Sequence, residues 1–259
     1  MRSQRTLPWL DPEPVRFPDP RTAWSAPDGL LAAGGALSVE WLLTAYGQGI
    51  FPWFDDDNGP ILWWSPDPRA GLEPGSMHVS RSLRRAVRSW LREGTAWASV
   101  DQNFPQVMVR CAGPRRQSSG TWITAKMRRA YTDLHRAGHA HSVEIWRNEE
   151  LVGGIYGVAV GQVFCGESMF SGCSNGSKVA FFILNELLRR RGFKLLDAQM
   201  PTEHLYSLGV RAMSRDRYLA LIRQFGQAAT QPGAWSLDSD LASLSALSGG
   251  TSTNLASTL

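Results

Sequence analysis

The stretch His141-Ser142-Val143-Glu144-Ile145-Trp146, then Asn148-Glu149-Glu150, then Leu151-Val152-Gly153-Gly154-Ile155-Tyr156-Gly157-Val158-Ala159-Val160, then Gly161-Gln162 and Val163-Phe164-Cys165, decides how the chain folds. From His141 the pattern repeats every two residues, the spacing of a strand, whereas the flanking segments repeat at three and four. The polar and glycine-containing breaks mark reversals, so the stretch predicts an antiparallel meander.

Helices flank the meander. Upstream, Ser80 caps a helix with Leu83, Ala86, Val87, Trp90 and Leu91 on one stripe and Arg81, Arg84, Arg85, Arg88 and Arg92 on another, stopped by Gly94. A second helix starts at Thr124, buries Met127, Ala130, Tyr131 and Leu134, and ends at Gly138. Downstream, Ser177 opens a helix carrying Val179, Phe182, Ile183 and Leu187, and residues 193–196 form a short buried strand ending at Asp197. Thr202 and Ser214 cap two further helical pieces. Residues 27–64 read as turn-rich structure around one helix capped by Ser38, with short extended pieces at 51–54 and 63–66 on either side of a polar turn. The order helix, meander, helix, strand predicts an α+β sheet with helices packed on it, an order that N-acetyltransferase-like folds use among several others. Residues 236–259 are dominated by Ser, Thr, Gly and Ala, too little apolar surface to offset chain ordering, which predicts a disordered tail.

The 259 residues, 43% hydrophobic and 19% charged, suffice for a substantial core without disulfides. No stretch approaches the ~20 apolar residues of a spanning helix, and residues 1–5 lead into no signal-peptide apolar region, so a soluble cytoplasmic protein is expected. Cys111, Cys165 and Cys173 form no CxxC and have no His at metal-ligand spacing; reduced structural thiols and no metal site are expected.

Charge is unevenly placed. Residues 1–80 carry a net −5, residues 81–136 a net +9, and residues 137–259 balance. A concentrated positive field suits a polyanion such as nucleic acid, and equally describes a helix face turned to water. Nine of the eleven tryptophans lie at or before Trp122, so aromatic surface accompanies the basic segment. Core packing accounts for most of them, while flat rings beside cations also make a platform on which bases stack.

The sequence holds no GxxxxGK[ST] phosphate loop, no GxGxxG after a strand, no HExxH and no GxSxG. An enzyme of this sequence therefore receives its substrate already activated. Two carboxylates stand out: Glu167, after the strand at 162–165, and Asp197, after the strand at 193–196. A carboxylate at a strand end among apolar residues is either paired structurally or kept to bind a cation or handle a proton. Gln199 shares a face with Asp197 if the strand continues, adding an amide beside the charge. His135, His139 and His141 read as surface or capping residues.

Longer motifs carry a resemblance. Pro27-Asp28-Gly29-Leu30-Leu31-Ala32-Ala33-Gly34-Gly35, Tyr46-Gly47-Gln48-Gly49-Ile50-Phe51-Pro52-Trp53 and Trp63-Trp64-Ser65-Pro66-Asp67-Pro68-Arg69 resemble the amino-terminal half of the leucyl/phenylalanyl-tRNA–protein transferase family. Thr121-Trp122-Ile123, Ala140-His141-Ser142-Val143-Glu144, residues 166–171, Asn175-Gly176-Ser177-Lys178, Asp197-Ala198-Gln199 and Ser207-Leu208-Gly209 follow in that family's order, so the resemblance covers about residues 15–225. It implies a cytoplasmic, monomeric enzyme without cofactor, metal or membrane attachment. The donor is an aminoacyl-tRNA carrying Leu or Phe, less readily Met, and the acceptor a protein with amino-terminal Arg or Lys, thereby marked for degradation. It also implies a small amino-terminal domain over 1–75, an N-acetyltransferase-like antiparallel or mixed sheet with helices over 76–225, and an extension over 226–259 that is largely a disordered tail.

By the same resemblance Trp53 and Trp122, with Tyr46 nearby, pack around the donor's terminal adenosine. Asp197 and Gln199 orient or deprotonate the acceptor amine, and Glu167 adds charge complementary to the acceptor; an alternative account leaves proton transfer largely to the substrate. Phe164, Met169 and Phe170 are candidates to line the donor side-chain pocket, with core packing as the competing reading for each, and Arg81, Arg84, Arg85, Arg88 and Arg92 are candidates for tRNA phosphates. Three positions depart from the family pattern: Gly172 where a basic residue is expected, Gly176 where Ala is usual, and Ala198 where Cys is frequent. The competing classes are a non-catalytic RNA-binding protein and an acetyl-CoA enzyme, the latter disfavoured because no Gly-rich turn opens a helix after the meander.

Overall fold

The computed structural model describes residues 6–113, 121–229 and 232–248. Strands β1 (Trp9–Leu10) and β2 (Leu30–Gly34), helix α1 (Val39–Gly47), and strands β3 (Phe51–Pro52) and β4 (Leu62–Trp64) come first. Their four strands pair in the order β1-β2-β4-β3, with β1 parallel to β2 and the other pairs antiparallel. The Ser38 hydroxyl accepts the Trp41 N–H and starts α1; Trp41 then packs with Phe17 and Trp63, ring centroids 4.8 to 5.8 Å apart.

Seven strands form the second sheet: β5 (Arg69–Leu72), β6 (Ala96–Val100), β7 (Ala140–Arg147), β8 (Glu150–Val160), β9 (Val163–Ser171), β10 (Leu195–Gln199) and β11 (Arg211–Met213), in the order β11-β5-β10-β9-β8-β7-β6. Only β9 and β10 pair in parallel, joined by a helical crossover. The helices are α2 (Arg81–Glu93), α3 (Phe104–Cys111), α4 (Ala125–Arg136), α5 (Gly176–Arg190), α6 (Glu203–Ser207), α7 (Arg215–Phe225), α8 (Ser239–Ala242) and α9 (Ser245–Ser248). The fold is α+β with a mixed sheet, and among the described residues no helix is long and apolar enough to cross a membrane.

The meander forms where the period of two predicts it. Asn148 and Glu149 make a two-residue turn between the paired Arg147 and Glu150, both with positive φ, 50° and 64°, which matches the twist of the strands they join. Along β8 the side chains alternate between two cores: Tyr156 and Val158 pack with residues of α1, α3, α4 and α7, Ile155 and Ala159 with residues of α2 and α5. Cover on both faces is why this strand is apolar almost throughout.

Several expectations need correction. The strand expected to stop near Cys165 runs to Ser171, so Glu167 lies inside β9 rather than after it. Helix α5 starts at Gly176, one residue before Ser177, after Asn175, whose φ is 72°; the Ser177 N–H is accepted by the Ser171 hydroxyl at 2.8 Å. A Cβ on Gly176 would meet the Val152 oxygen at 2.2 Å, so at this departure from the family pattern α5 lies closer to β8 than an Ala allows without a shift. At Gly172 a Cβ would fall 2.6 Å from the Arg110 guanidinium. His141 is buried, its Nδ1 2.7 Å from Asp101. Strand β5, inside the stretch expected to form the small domain, pairs with β10 and β11 in the large sheet.

The extension is the largest correction. Residues 232–248 are ordered: Trp235 stacks on the His141 ring at 3.8 Å, the Arg191 guanidinium lies 4.7 Å from its ring, and Leu241, Leu244 and Leu247 are buried. Arg190 reaches Asp238 and Asp240 at 2.6 Å each. Four apolar anchors spaced among serines are invisible to an average over composition. The Ser/Thr-rich end at 249–259, residues 1–5, and Arg115 and Arg116 of the basic segment lie outside the described residues.

Candidate active site

The site forms where the parallel pair parts. The last paired residues are Cys165 of β9 and Asp197 of β10. Beyond them each strand carries a bulge against its other neighbour. In β9, Gly166 pairs with Gly157 and Ser168 with Tyr156, leaving Glu167 as the extra residue; in β10, Asp197 pairs with Gly71 and Gln199 with Ala70, leaving Ala198. Bulges re-aim side chains, and these two lie side by side.

Glu167 points into a cluster of neutral donors. Its Oε1 accepts the Tyr46 hydroxyl at 2.7 Å and the Gln199 Nε2 at 2.8 Å, and its Oε2 accepts the Tyr131 hydroxyl at 2.9 Å. The Tyr46 and Tyr131 hydroxyls also meet each other. Burial pushes Glu167 up to about 7, against the pull of the two tyrosine hydrogen bonds. Burial likewise raises both tyrosines well above the usual phenol range, with the Glu167 charge adding to it.

Asp197 sits deeper and is fully buried. Its Oδ1 accepts Arg69 Nε at 2.9 Å, and its Oδ2 accepts Arg69 Nη2 at 2.6 Å and the Tyr218 hydroxyl at 2.8 Å. Burial of Arg69 opposes its charge, but Asp197 together with Tyr218 and Cys165 turns the net shift upward. The guanidinium also reaches the Gly49 carbonyl at 3.2 Å and lies over the Phe51 and Tyr218 rings at 4.9 and 4.3 Å. Asp197 then accepts the backbone N–H of Gln199 at 2.9 Å, holding that residue at a φ of 60°. The amide thus aimed at Glu167 is set by a carboxylate behind it.

In front of Glu167 and Gln199 opens a cleft of about 330 Å³, walled by Phe51, Pro52, Trp53 and Trp122 on one side and by Met169, Ala198, Met200, Thr202 and Leu205 on the other. Of the residues expected from sequence, this brings together Glu167, Gln199, Trp53, Trp122 and Met169. Others lie elsewhere. Asp197 is sealed behind the cleft by Arg69 and Tyr218 and faces no open space. Tyr46 is fully buried, lines no part of the cleft and spends its hydroxyl on Glu167. Phe164 packs in the core on the α5 side, 5.8 Å from Trp235, and Phe170 belongs to the opposite core beneath Arg110, because the bulge at Glu167 inverts the alternation of β9 between them. The arginine stripe lies on α2, whose Leu83, Val87 and Trp90 pack in the core of the α5 side. Arg81, Arg85, Arg88 and Arg92 are exposed, but Arg84 and Arg88 donate to the Leu247 and Ser248 carbonyls at 3.4 and 3.1 Å.

Sequence reasoning missed Tyr131 as a site residue, and Arg69 and Tyr218 altogether. One signal was available for Arg69: it is the only Lys or Arg between Arg21 and Arg81. Tyr131 stands at a core position of its helix, and nothing local shows that its hydroxyl meets a carboxylate 36 positions away.

The description "Leucyl/phenylalanyl-tRNA protein transferase" fits residues 72–223, and that of its N-terminal domain residues 35–67. A leucyl/phenylalanyl-tRNA–protein transferase of Shewanella oneidensis is 48% identical over 231 residues, 89% of this chain and 96% of that one. The chain belongs to the leucyl/phenylalanyl-tRNA protein transferase family. Another transferase of this family, from Shewanella sp. strain ANA-3, is 49% identical over 230 residues, 89% of this chain and 95% of that one. Membership makes the protein an aminoacyltransferase. Tyr46 falls in the first matched segment of the family, and Tyr131, Glu167, Asp197, Gln199 and Tyr218 in the second; Arg69 stands between the segments, and residues 232–248 lie beyond them. Likeness to solved structures outside the family is slight: L-PGS from Bacillus licheniformis is 13% identical, with a TM-score of 0.38 over 54% of this chain and 48% of that one.

Proposed function

We propose that the protein moves Leu or Phe, less readily Met, from aminoacyl-tRNA to the amino-terminal Arg or Lys of cytoplasmic proteins, marking them for degradation, on an N-acetyltransferase-like sheet. The observation that carries this reading is one cleft with Trp53 and Trp122 on its wall and the Glu167–Gln199 pair at its base, in a chain of this family.

The donor's terminal adenosine stacks on Trp53 and Trp122, and its apolar side chain meets Met169, Ala198, Met200 and Leu205. Such a lining separates donors by roughly 1–3 kcal/mol per methylene and rejects charged side chains by desolvation. The acceptor's α-amine attacks the ester carbonyl: a C–N bond forms, the C–O bond to the ribose breaks, and the amine proton ends on the ribose oxygen. A carboxyl titrating near 7 is matched to taking up that proton in passing. Gln199 donates its amide N–H to Glu167, which turns its amide oxygen towards an incoming amine. Asp197, Arg69 and Tyr218 act as positioning residues behind Gln199. Exposed Arg81, Arg85 and Arg92 of the stripe are candidate phosphate contacts on the α2 face.

The experiment is transfer of labelled Leu from Leu-tRNA to a peptide beginning with Arg. Label in the peptide, absent from a peptide beginning with Glu, is the expected result. An unlabelled peptide with tight tRNA binding would leave an RNA-binding protein, and acetylation of the peptide from acetyl-CoA would leave an acetyltransferase.

A further inference from the structure

Helix α4 has two working faces. Its buried face brings Tyr131 to Glu167. Its outer face forms one wall of a groove of about 490 Å³ shared with α3, where Arg128, Arg129 and Arg136 stand over Pro105, Met108 and Val109. The groove begins at Ala125, three residues after the cleft-lining Trp122 and so within about 11 Å of it along the chain. From Ala125 to Arg136 it runs about 16 Å at about 1.5 Å per helical residue.

Two of the three arginines here, Arg128 and Arg129, have no ion-pair partner among the described residues, and the third, Arg136, shares the groove with Asp133 and has an exposed contact with it at 3.3 Å. On α2 two of the five stripe arginines, Arg84 and Arg88, are already engaged by the carbonyls that end α9, and the helix packs against the other core. Guanidinium groups are planar forks suited to phosphate oxygens, and a row of them beside an apolar floor meets both phosphates and ribose edges.

We propose that the groove between α3 and α4 holds the backbone phosphates of the donor tRNA next to its aminoacylated end and so leads that end past Trp122 into the cleft. The proposal rests on the transferase reading and adds the path of the polyanion to it. The same helix then couples the two substrates' sites, with phosphates outside and the Glu167 cluster inside.

The test compares two donors, Leu-tRNA and a leucyl ester of adenosine alone, with wild type, an Arg128→Ala, Arg129→Ala double variant and the corresponding double Lys variant. Loss of two phosphate contacts flattens the slope of log affinity against log salt by about 1.4–1.8. The expected result is this flatter slope, a roughly tenfold or greater loss in tRNA affinity and transfer, unaltered use of leucyl-adenosine, and a much smaller loss in the Lys variant. Unchanged tRNA affinity and slope would overturn the proposal, as would an equal loss with leucyl-adenosine, which would mean that the substitution acts through Tyr131. A wild type that binds tRNA with a slope sensitive to Arg128 and Arg129, yet transfers from neither donor, would overturn the transferase reading and keep the groove.

Discussion

Asp197 and Glu167 stand on neighbouring strands where β9 and β10 part, and their partners make them different instruments. Asp197 accepts two bonds from a fully buried guanidinium, one from Tyr218 and one from a backbone N–H. Glu167 accepts only from neutral groups, the Tyr46 and Tyr131 hydroxyls and the Gln199 amide. A full positive charge locks a carboxylate in place, whereas neutral donors in a dry site leave the proton exchangeable, here near 7. Depth alone does not decide what a buried acid does.

Breaking the locked pair has the largest effect. Arg69→Met leaves Asp197 buried without its cation and is expected to cost about 3–5 kcal/mol, read as a lower urea midpoint at unchanged slope. Replacing Asp197 by Leu in the same chain should recover part of that stability without recovering transfer, since the Gln199 backbone then loses its acceptor. Asp197→Asn weakens hydrogen bonds to charge worth about 1.5–3 kcal/mol and should lower kcat more than tRNA affinity, because the residue lies behind the cleft.

Glu167 is sharpened by pH. Its folded value, about 7, lies above its ordinary 4.5, so the native state holds an extra proton between those limits. Stability from this group is fully present below about 4.5 and falls as pH rises through 7, by on the order of 3 kcal/mol. Glu167→Gln should remove that slope, so that thermal melts of variant and wild type diverge in the variant's favour as pH rises from about 4.5 to 7 and stay apart above it, while its transfer activity falls. A wild type whose melting temperature stays flat from pH 5 to 8, where Glu167→Gln also stays flat, would show that Glu167 does not change its proton over that range.

The smallest effect comes from a single donor. Tyr131→Phe removes one hydrogen bond, worth about 1 kcal/mol, whose pull lowers the Glu167 value. The acid limb of the pH–rate profile should therefore move to higher pH, and Tyr46→Phe should move it the same way. An unshifted limb in both variants would assign the titration seen in kinetics to another group.

By itself the sequence determined the meander, the caps at Ser38, Ser80, Thr124, Thr202 and Ser214, and the family motifs carrying Trp53, Trp122, Glu167 and Gln199. These are local signals: a period of two, a hydroxyl one residue before a helix, a contiguous run of residues. Tertiary structure decided the rest, because it depends on pairs far apart in the chain. Whether Asp197 faces a substrate or a guanidinium was set by Arg69, 128 residues away, and the Oε1 partner of Glu167 by Tyr46, 121 residues away. The bulges that turn Glu167 and Gln199 towards each other arise from register against β8 and β5, which no strand carries alone. Likewise the serine-rich segment orders at 232–248 because His141, Arg190 and Arg191 meet it from elsewhere in the chain, and composition cannot report a partner that only the fold brings near.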